Sequence, residues 1–309
     1  MKVGYIGLGK MGCGMAANLQ KAGYELYVND IVKDAAAPFL EKGAIWCDTP
    51  QAMAEACEVI FTSLPTPADV LAVCYGENGL AAGFRKGSVW FDLSTNAVDV
   101  VRKLHAELAP KGAAFLDAPV SGGPGGAASG AMAIWVGGDR AVFDKYMPVL
   151  DAMSYQARYI VEIGAGSIAK LVHNMASTAI NAIMGEVMTL GIKAGLDAAP
   201  LWEAIRTGAG GRMRSFDNIG RRFLQAKLDP PSFALRLVTK DIALAMQLAR
   251  ENNVPMRLCN LVMQDLTEAM NRGWDNRDSQ SFLVLQQERA GLPPIAVPEA
   301  EINAILARS

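Results

Sequence analysis

This chain of 309 residues has few histidines and no closely spaced pairs of cysteines. The two histidines are His105 and His173, and we expect His105 to be exposed because its helical surroundings are polar. The five cysteines are scattered and lack CxxC spacing, which is typical of reduced thiols. These counts argue against a zinc site, and no metal is expected. A proton carrier would have to be His173 or a residue of another type.

Long runs of one charge are also missing. The net charge is -2, which argues against nucleic acid or an anionic membrane surface as a partner. The apolar run 175–192 approaches membrane-spanning length, but Asn181 and Glu186 interrupt it and no basic cluster flanks it. We therefore expect a buried helix. The sequence enters a strand pattern directly after Met1-Lys2, without a signal segment, which together with reduced thiols predicts a cytoplasmic protein.

The composition indicates a folded protein with a large core. Hydrophobic residues make up 51% of the chain and charged residues 19%, and the length suits about two domains. Strand patterns alternate with helical ones up to Glu162 and then cease. We predict an α/β fold with an N-terminal domain over 1–163 and an all-helical domain over 164–309, joined by a long interdomain helix.

A glycine-rich turn lies between the first predicted strand, 2–6, and a helix, 13–21. It reads Gly7-Leu8-Gly9-Lys10-Met11-Gly12, and the next strand, 25–29, ends at Asp30. Strand, GxGxxG, helix and a following acid make up the Rossmann dinucleotide fingerprint. The alternative is a glycine-rich turn in an ordinary βαβ unit. The predicted dinucleotide contacts here are Gly7, Leu8, Gly9, Lys10, Met11, Gly12, Asn29 and Asp30.

The charge of Asp30 bears on the choice of cofactor. A carboxylate accepts hydrogen bonds from the ribose hydroxyls and repels a 2′-phosphate, and Ile31 and Val32 follow it instead of arginine. The sequence therefore favours NAD. NADP is still possible as the cofactor, because Lys33 is close to Asp30 in the sequence.

Further strands are predicted over 59–64, 89–93 and 114–116, and strands over 134–136 and 159–161 are expected to complete the same parallel sheet. Ligands bind at the carboxyl ends of such strands. Taken singly, Pro65 and Pro67 could only end a strand, and Ser94-Thr95 could only cap a helix. The residues expected to line one crevice are Gly7, Asp30, Leu64, Thr95 and Ser121.

The segment 121–130 is so rich in glycine that we expect no regular element there. Its free backbone N–H groups could hold an anion such as a carboxylate. The alternative is a flexible surface loop.

One long helix is predicted from Gly164 to Gly195, about 45 Å in length. Lys170 and Asn174 lie four residues apart on one of its faces. Burial and the positive end of the helix dipole should both lower the pKa of Lys170, which suits a proton carrier. The alternative is that Lys170 reaches solvent at the helix end.

Two later features are also candidates. Lys240 and Asp241 interrupt an otherwise apolar helix, although a surface stripe would explain them equally. Arg212, in the glycine-rich stretch 208–214, could select an acidic substrate group or simply be solvated.

Four motifs together resemble the β-hydroxyacid dehydrogenase family: the turn 7–12, Asp117-Ala118-Pro119-Val120-Ser121-Gly122-Gly123, the stretch 164–174, and Lys240-Asp241. The resemblance implies a Rossmann domain joined to a helical domain, usually in homodimers or homotetramers. It implies NAD(P)-dependent oxidation of a small 3-hydroxy acid. Lys170 would be the general acid/base, with Asn174 beside it. Substrate would be held by Ser121, Gly122 and Gly123, and the dinucleotide also by Leu64, Pro65, Thr95 and Lys240.

Two other functions are compatible with this fold group. Imine reduction is one, but its members usually lack a lysine at the position of Lys170. A non-catalytic dinucleotide-binding module kept for oligomerisation is the other, and the presence of Lys170, Asn174 and Ser121 argues against it.

Overall fold

The buried apolar runs of the N-terminal half form a parallel six-stranded sheet in the computed structural model, in the order β3-β2-β1-β4-β5-β6. The predicted parallel sheet is confirmed. Its strands are β1 (Lys2–Ile6), β2 (Glu25–Asn29), β3 (Ile45–Trp46), β4 (Val59–Thr62), β5 (Val89–Asp92) and β6 (Ala114–Asp117).

The structure describes residues 1–193, 195–208, 217–251 and 255–307. The chain divides into two units, Met1–Lys170 and Leu171–Ser309. Arg212 lies outside the described residues.

Helices alternate with the strands of the first unit, as the pattern predicts. Short 3-10 segments also occur at Lys33–Ala36 and Ala109–Lys111. The helices are α1 (Gly12–Lys21), α2 (Ala37–Leu40), α3 (Pro50–Ala56), α4 (Pro67–Tyr75), α5 (Leu80–Gly83), α6 (Val98–Leu108), α7 (Gly123–Ser129) and α8 (Arg140–Asp151).

Successive side chains of a strand point to opposite faces of the sheet. Both faces of the six-stranded sheet are buried. In β5, Phe91 packs in the cluster that contains Tyr5 and Phe61, whereas Trp90 packs in the other cluster with Phe115. Trp90 and Phe115 meet edge to face, with 4.6 Å between ring centroids. Near-continuous apolar strands are what a doubly covered parallel sheet requires.

The strand register brings the carboxyl ends level. Ile6 pairs with both Asn29 and Thr62, Thr62 pairs with Asp92, and Asp92 pairs with Asp117. The loops that leave these five residues therefore share one edge of the sheet. This order, with its reversal between β1 and β4, is the one that places ligands in the crevice at that edge.

The expectation that 134–136 and 159–161 complete the same sheet is wrong. Residues 134–136 lie in a second, three-stranded sheet made of β7 (Val120–Ser121), β8 (Met132–Val136) and β9 (Ser154–Tyr159). Of the segment 159–161, Tyr159 is the last residue of β9, and residues 160 and 161 lie beyond its end. β7 runs antiparallel to β8, and an isolated bridge between Asp117 and Gly137 links the two sheets. The chain reverses after β6 instead of adding a parallel neighbour to it.

The glycine-rich segment after Ser121 is helical, which corrects the expectation of an irregular loop. α7 begins with Pro124 in its first turn, and its backbone packs on α1. A Cβ added at Gly14 would lie 2.7 Å from the carbonyl carbon of Ala127, and Asn18 Nδ2 donates to Ala127 O at 2.8 Å. Small residues permit this close approach, and tertiary packing overrides the weak helix propensity of glycine.

The described part of the second unit is helical. The predicted long helix is present as α9 (Ala165–Lys193), which starts at the end of the first unit. Gly195 follows it with a φ of +100°, and Leu196 N donates to Gly191 O at 3.1 Å, which is a glycine-terminated helix end. The later helices are α10 (Ala198–Thr207), a π-helix (Ile219–Leu224), α11 (Leu235–Glu251), α12 (Arg257–Asn271), α13 (Leu283–Arg289) and α14 (Glu299–Leu306). Among the described helices, none combines the length and hydropathy of a membrane span.

Candidate active site

The turn from Gly7 to Gly12 has the geometry that a dinucleotide pyrophosphate requires. Gly7 has a φ of +95°, and a Cβ there would lie 2.3 Å from Ser63 O. A Cβ at Gly12 would lie 1.8 Å from Gly7 O, whereas one at Gly9 would meet nothing within 4 Å. Two glycines thus pack the turn tightly, and the exposed Gly9 faces open space. The residues fit the phosphates of a dinucleotide at the start of α1.

Lys10 and Met11 complete this turn. Met11 takes the N-cap position of α1 without a side-chain cap, and Cys13 N donates to Gly9 O at 2.9 Å. A helix start without a side-chain cap leaves its first N–H groups for water or a ligand. The exposed Lys10 adds a cation at the same end.

Asp30 is held by the backbone on both sides of its carboxylate. Oδ2 accepts from Leu8 N at 2.6 Å and Oδ1 accepts from Val32 N at 2.7 Å. Asn29 is buried, and its Nδ2 donates to Cys47 O at 2.8 Å, so its side chain supports the β2–β3 edge. The carboxylate of Asp30 therefore has a fixed position beside the glycine turn.

The loops after β4 and β5 are organised by one buried carboxyl. Asp92 accepts hydrogen bonds from Thr62 Oγ1, Ser94 N and Asn96 Nδ2 at 2.8, 3.1 and 3.0 Å. Ser94 Oγ in turn accepts from Leu64 N at 2.9 Å. Burial raises the pKa of Asp92.

The bond between Leu64 N and Ser94 Oγ joins the loop that carries Leu64 and Pro65 to the loop that carries Thr95. Leu64 and Thr95 are half-buried and Pro65 is exposed. The helix-cap explanation of Ser94-Thr95 is wrong, because the N-cap of α6 is Ala97. Pro67 does begin α4, behind a Thr66 cap.

The predicted carboxylate-binding residues lie at the end of β7. Ser121 is half-buried and pairs with Ala133 of β8. Gly122 and Gly123 follow with φ values of +147° and +64°, in the region that favours glycine. Ser121 therefore ends a strand of the second sheet, although it follows β6 by only four residues.

Lys170 lies half-buried in the first turns of α9. The start of this helix is held by Asp117, whose carboxylate oxygens accept from Gly164 N and Ser167 N. His173 is exposed, whereas His105 is half-buried with Nδ1 at 3.1 Å from Phe115 O. The expectation that His105 is exposed is therefore wrong, because its ring packs toward β6.

In the second unit, Asn174 and Lys240 converge on Asp241. Asn174 Nδ2 donates to Asp241 Oδ2 at 2.6 Å, and Lys240 Nζ lies 2.9 Å from Asp241 Oδ1. Asp241 is 3% exposed, so it is not part of a surface stripe. Across the described residues there is no group of three His, Cys, Asp or Glu side chains suited to a metal ion.

Comparison with known proteins identifies the family. Residues 2–164 match the family described as the NAD binding domain of 6-phosphogluconate dehydrogenase. Residues 164–285 match the NAD-binding family of NADP-dependent 3-hydroxyisobutyrate dehydrogenase. The 2-(hydroxymethyl)glutarate dehydrogenase of Eubacterium barkeri is 32% identical over 94% of this chain and 97% of its own. The mouse mitochondrial 3-hydroxyisobutyrate dehydrogenase is 33% identical over 93% of this chain and 87% of its own.

The chain belongs to the β-hydroxyacid dehydrogenase family. A solved 3-hydroxyisobutyrate dehydrogenase from Salmonella typhimurium has a TM-score of 0.84 and 28% identity, covering 92% of this chain and 99% of its own. As a β-hydroxyacid dehydrogenase, the protein is an NAD(P)-binding oxidoreductase acting on the CH–OH group of a hydroxy acid.

Three carboxyl residues of this β-hydroxyacid dehydrogenase were given no role from the sequence, although Asp117 and Asp241 belong to two of its motifs. They are Asp92, Asp117 and Asp241, each at most 3% exposed and each bonded to a predicted site segment. The available signal was an acid at the end of an apolar strand, for Asp92 and Asp117, or within an apolar helix, for Asp241. Such an acid must be paired to be buried.

Proposed function

We propose that the protein reversibly oxidises a small 3-hydroxy carboxylic acid, with Lys170 as the general acid/base. Ser121 and the N–H groups of Gly122 and Gly123 hold the substrate carboxylate. The turn Gly7–Gly12 and Asp30 would hold the dinucleotide, whose nicotinamide would supply the hydride acceptor. NAD is the preferred cofactor, because Asp30 presents a fixed negative charge beside the glycine turn.

In this mechanism Lys170 moves the proton. Its neutral amine accepts the proton of the substrate hydroxyl during oxidation, and its ammonium returns a proton during reduction. Asn174, one helical turn further along α9, orients the hydroxyl or the amine. Arg212 would add contact with an acidic substrate group.

One observation carries the proposal: a single carboxyl, Asp117, joins the strand that leads to Ser121 with the start of the helix that bears Lys170. Its Oδ2 accepts from Ser167 N at 2.6 Å, and Lys170 follows three residues later. The carboxylate cradle and the proton carrier thus belong to one bonded framework.

Replacement of Lys170 tests the role of the amine. We expect Lys170→Ala to lower turnover about 10²- to 10⁴-fold, the range for loss of a general acid/base, while NAD affinity is retained. His173→Ala is the matched control, since His173 is exposed on the same helix. Full turnover by Lys170→Ala would remove this residue from the mechanism.

A spectrophotometric screen tests the substrate class. The acids to compare with NAD and with NADP are 3-hydroxyisobutyrate, 3-hydroxypropionate, serine, glycerate and 4-hydroxybutyrate. Turnover of at least one 3-hydroxy acid supports the proposal. Reduction of imines without turnover of any acid would favour an imine reductase. Binding of the dinucleotide without turnover of any substrate would favour a non-catalytic module.

We also propose that the protein is a cytoplasmic homodimer or homotetramer without nucleic acid or membrane partners. Its functional domains would span 1–163 and 164–309. The two matched families meet at residue 164, which supports this division. The mass in solution by light scattering tests the assembly.

A further inference from the structure

A carboxyl is buried where the helix carrying Lys170 begins. Asp117, the last residue of β6, is 1% exposed. Its Oδ1 accepts from Gly164 N at 2.8 Å and its Oδ2 accepts from Ser167 N at 2.6 Å. One oxygen thus accepts from the residue just before α9 and the other from its first turn, where the helix dipole favours an anion.

The backbone around this carboxyl leaves little freedom. Asp117 and Gly137 exchange backbone hydrogen bonds of 3.2 and 2.8 Å. A Cβ added at Gly137 would lie 2.5 Å from Asp117 Oδ1. A Cβ added at Gly166 would lie 2.3 Å from Trp135 O and 2.9 Å from Asp117 O. The first turn of α9 therefore packs backbone against backbone on the ends of β6 and β8.

Short connections lead from Asp117 to both parts of the proposed site. β7 begins three residues after Asp117 and ends at Ser121. Lys170 follows Ser167 by three residues, about 4.5 Å along the helix. The positions of Ser121 and of the Lys170 backbone are both fixed relative to this one carboxyl.

We propose that Asp117 is a positioning residue that sets the place of Lys170 relative to the carboxylate cradle. This inference rests on the proposed function. Asp117 acts through the first turn of α9 and not by contact with the reacting atoms. Its carboxylate is needed because both oxygens must accept a backbone N–H.

The substitution Asp117→Asn keeps the shape and removes one acceptor. The amide of asparagine has one oxygen, which can accept from one of the two backbone N–H groups, and one NH2 group, which cannot accept from the other. One of the two hydrogen bonds is therefore lost, and the start of α9 shifts. A displacement of the catalytic group by about 1 Å can cost about 100-fold in rate. The dinucleotide turn at Gly7–Gly12 does not depend on these bonds.

The test is a kinetic comparison with NAD and 3-hydroxyisobutyrate, or the acid of the screen that is turned over. The kcat is expressed per dinucleotide-binding site, so that loss of folded protein is removed from the comparison. We expect Asp117→Asn to lower kcat about 10- to 100-fold, while KM and the Kd for NAD change less than about twofold. Gly166→Ala displaces the same turn without a change of charge. It should also lower kcat and leave KM and the Kd for NAD nearly unchanged, and it replaces Asp117→Asn in the test if that variant does not fold.

Asp139 provides the matched control. Its Oδ1 accepts from Ala141 N and Val142 N at the start of α8, so it is also a double helix cap, but an exposed one. Asp139→Asn removes the same charge but keeps both bonds, because a single oxygen accepts them, so it should leave kcat unchanged. A kcat within about twofold of wild type in both Asp117→Asn and Gly166→Ala would overturn the proposal.

Hydrogen exchange separates this inference from the proposed function. Peptides covering 163–171 should exchange faster in Asp117→Asn and not in Asp139→Asn, and unchanged exchange would also overturn the inference. If the wild type turns over none of the five acids, or if Lys170→Ala keeps full activity, the proposed function fails. The exchange experiment then still decides whether Asp117 fixes the helix start.

Discussion

The side-chain amide of Asn174 donates to the carboxylate of Asp241, with 2.6 Å between Nδ2 and Oδ2. A carboxylate only accepts, so the amide nitrogen must face it. The carbonyl oxygen of Asn174 is consequently directed away from Asp241. Asn174 is thus oriented as an acceptor, suited to a substrate hydroxyl or a lysine ammonium.

Removal of Asp241 should therefore impair Asn174. We expect Asp241→Ala to lower kcat/KM about tenfold or more, because a hydrogen bond to a charged group contributes about 1.5–3 kcal/mol. If Asp241 acts through Asn174, the double variant Asp241→Ala/Asn174→Ala should be no worse than Asn174→Ala alone. Asp265→Asn, on the surface ion pair with Arg289, is the control and should be fully active. Additive losses in the double variant would contradict this interpretation.

Two glycines of the dinucleotide turn should respond differently to alanine. A Cβ at Gly12 would lie 1.8 Å from Gly7 O, whereas one at Gly9 meets nothing within 4 Å. We expect Gly12→Ala to lower both Tm and NAD affinity. Gly9→Ala should leave Tm unchanged and weaken the binding of NAD, because its methyl group would occupy the space for the pyrophosphate. Calorimetry and NAD titration measure the two effects, and unchanged NAD binding by Gly9→Ala would show that the pyrophosphate lies elsewhere.

The cofactor preference should depend on Asp30 and not on Lys33. Lys33 Nζ lies 5.3 Å from the centre of the Trp46 ring, a cation–π distance. We expect wild type to favour NAD over NADP in kcat/KM by about tenfold or more, and Asp30→Ala to reduce that ratio, because a carboxylate repels the 2′-phosphate. Lys33→Ala should leave the ratio unchanged. A selective loss of NADP use in Lys33→Ala would show that Lys33 binds the phosphate.

Thiol chemistry gives an independent probe of the same turn. Burial raises the pKa of Cys47 to about 11 and those of Cys57 and Cys74 to about 12, so these thiols should react slowly at pH 8. Cys13 is partly exposed in the first turn of α1. A thiol reagent should label it first, and NAD should slow that step. The variant Cys13→Ser should lose the fast phase, and its persistence would contradict the assignment.

The elements that the sequence predicted well are those set by local pattern. Consecutive residues specify the strand from Lys2, the GxGxxG turn and the helix to Lys21. The register of the strands then brings their carboxyl ends to one edge of the sheet. What the pattern could not supply came from distant partners. α7 is helical because Gly14 and Asn18 pack on it, and Asp117 is bonded to residues 47 and 50 positions later. Asp241 is likewise 67 positions from Asn174.

Asn18 links the helix that starts at the dinucleotide turn to the one that follows Ser121. Its Nδ2 donates to Ala127 O at 2.8 Å and to Gly14 O at 3.0 Å, so α1 and α7 are joined by side chain and backbone together. A dinucleotide bound at the start of α1 would also stabilise α7 and its N-cap residue, Gly122. We therefore expect compulsory order in the kinetics, with cofactor first, and acid affinity that rises once the cofactor is in place. By thermodynamic reciprocity the acid must then raise the affinity for the cofactor by the same factor.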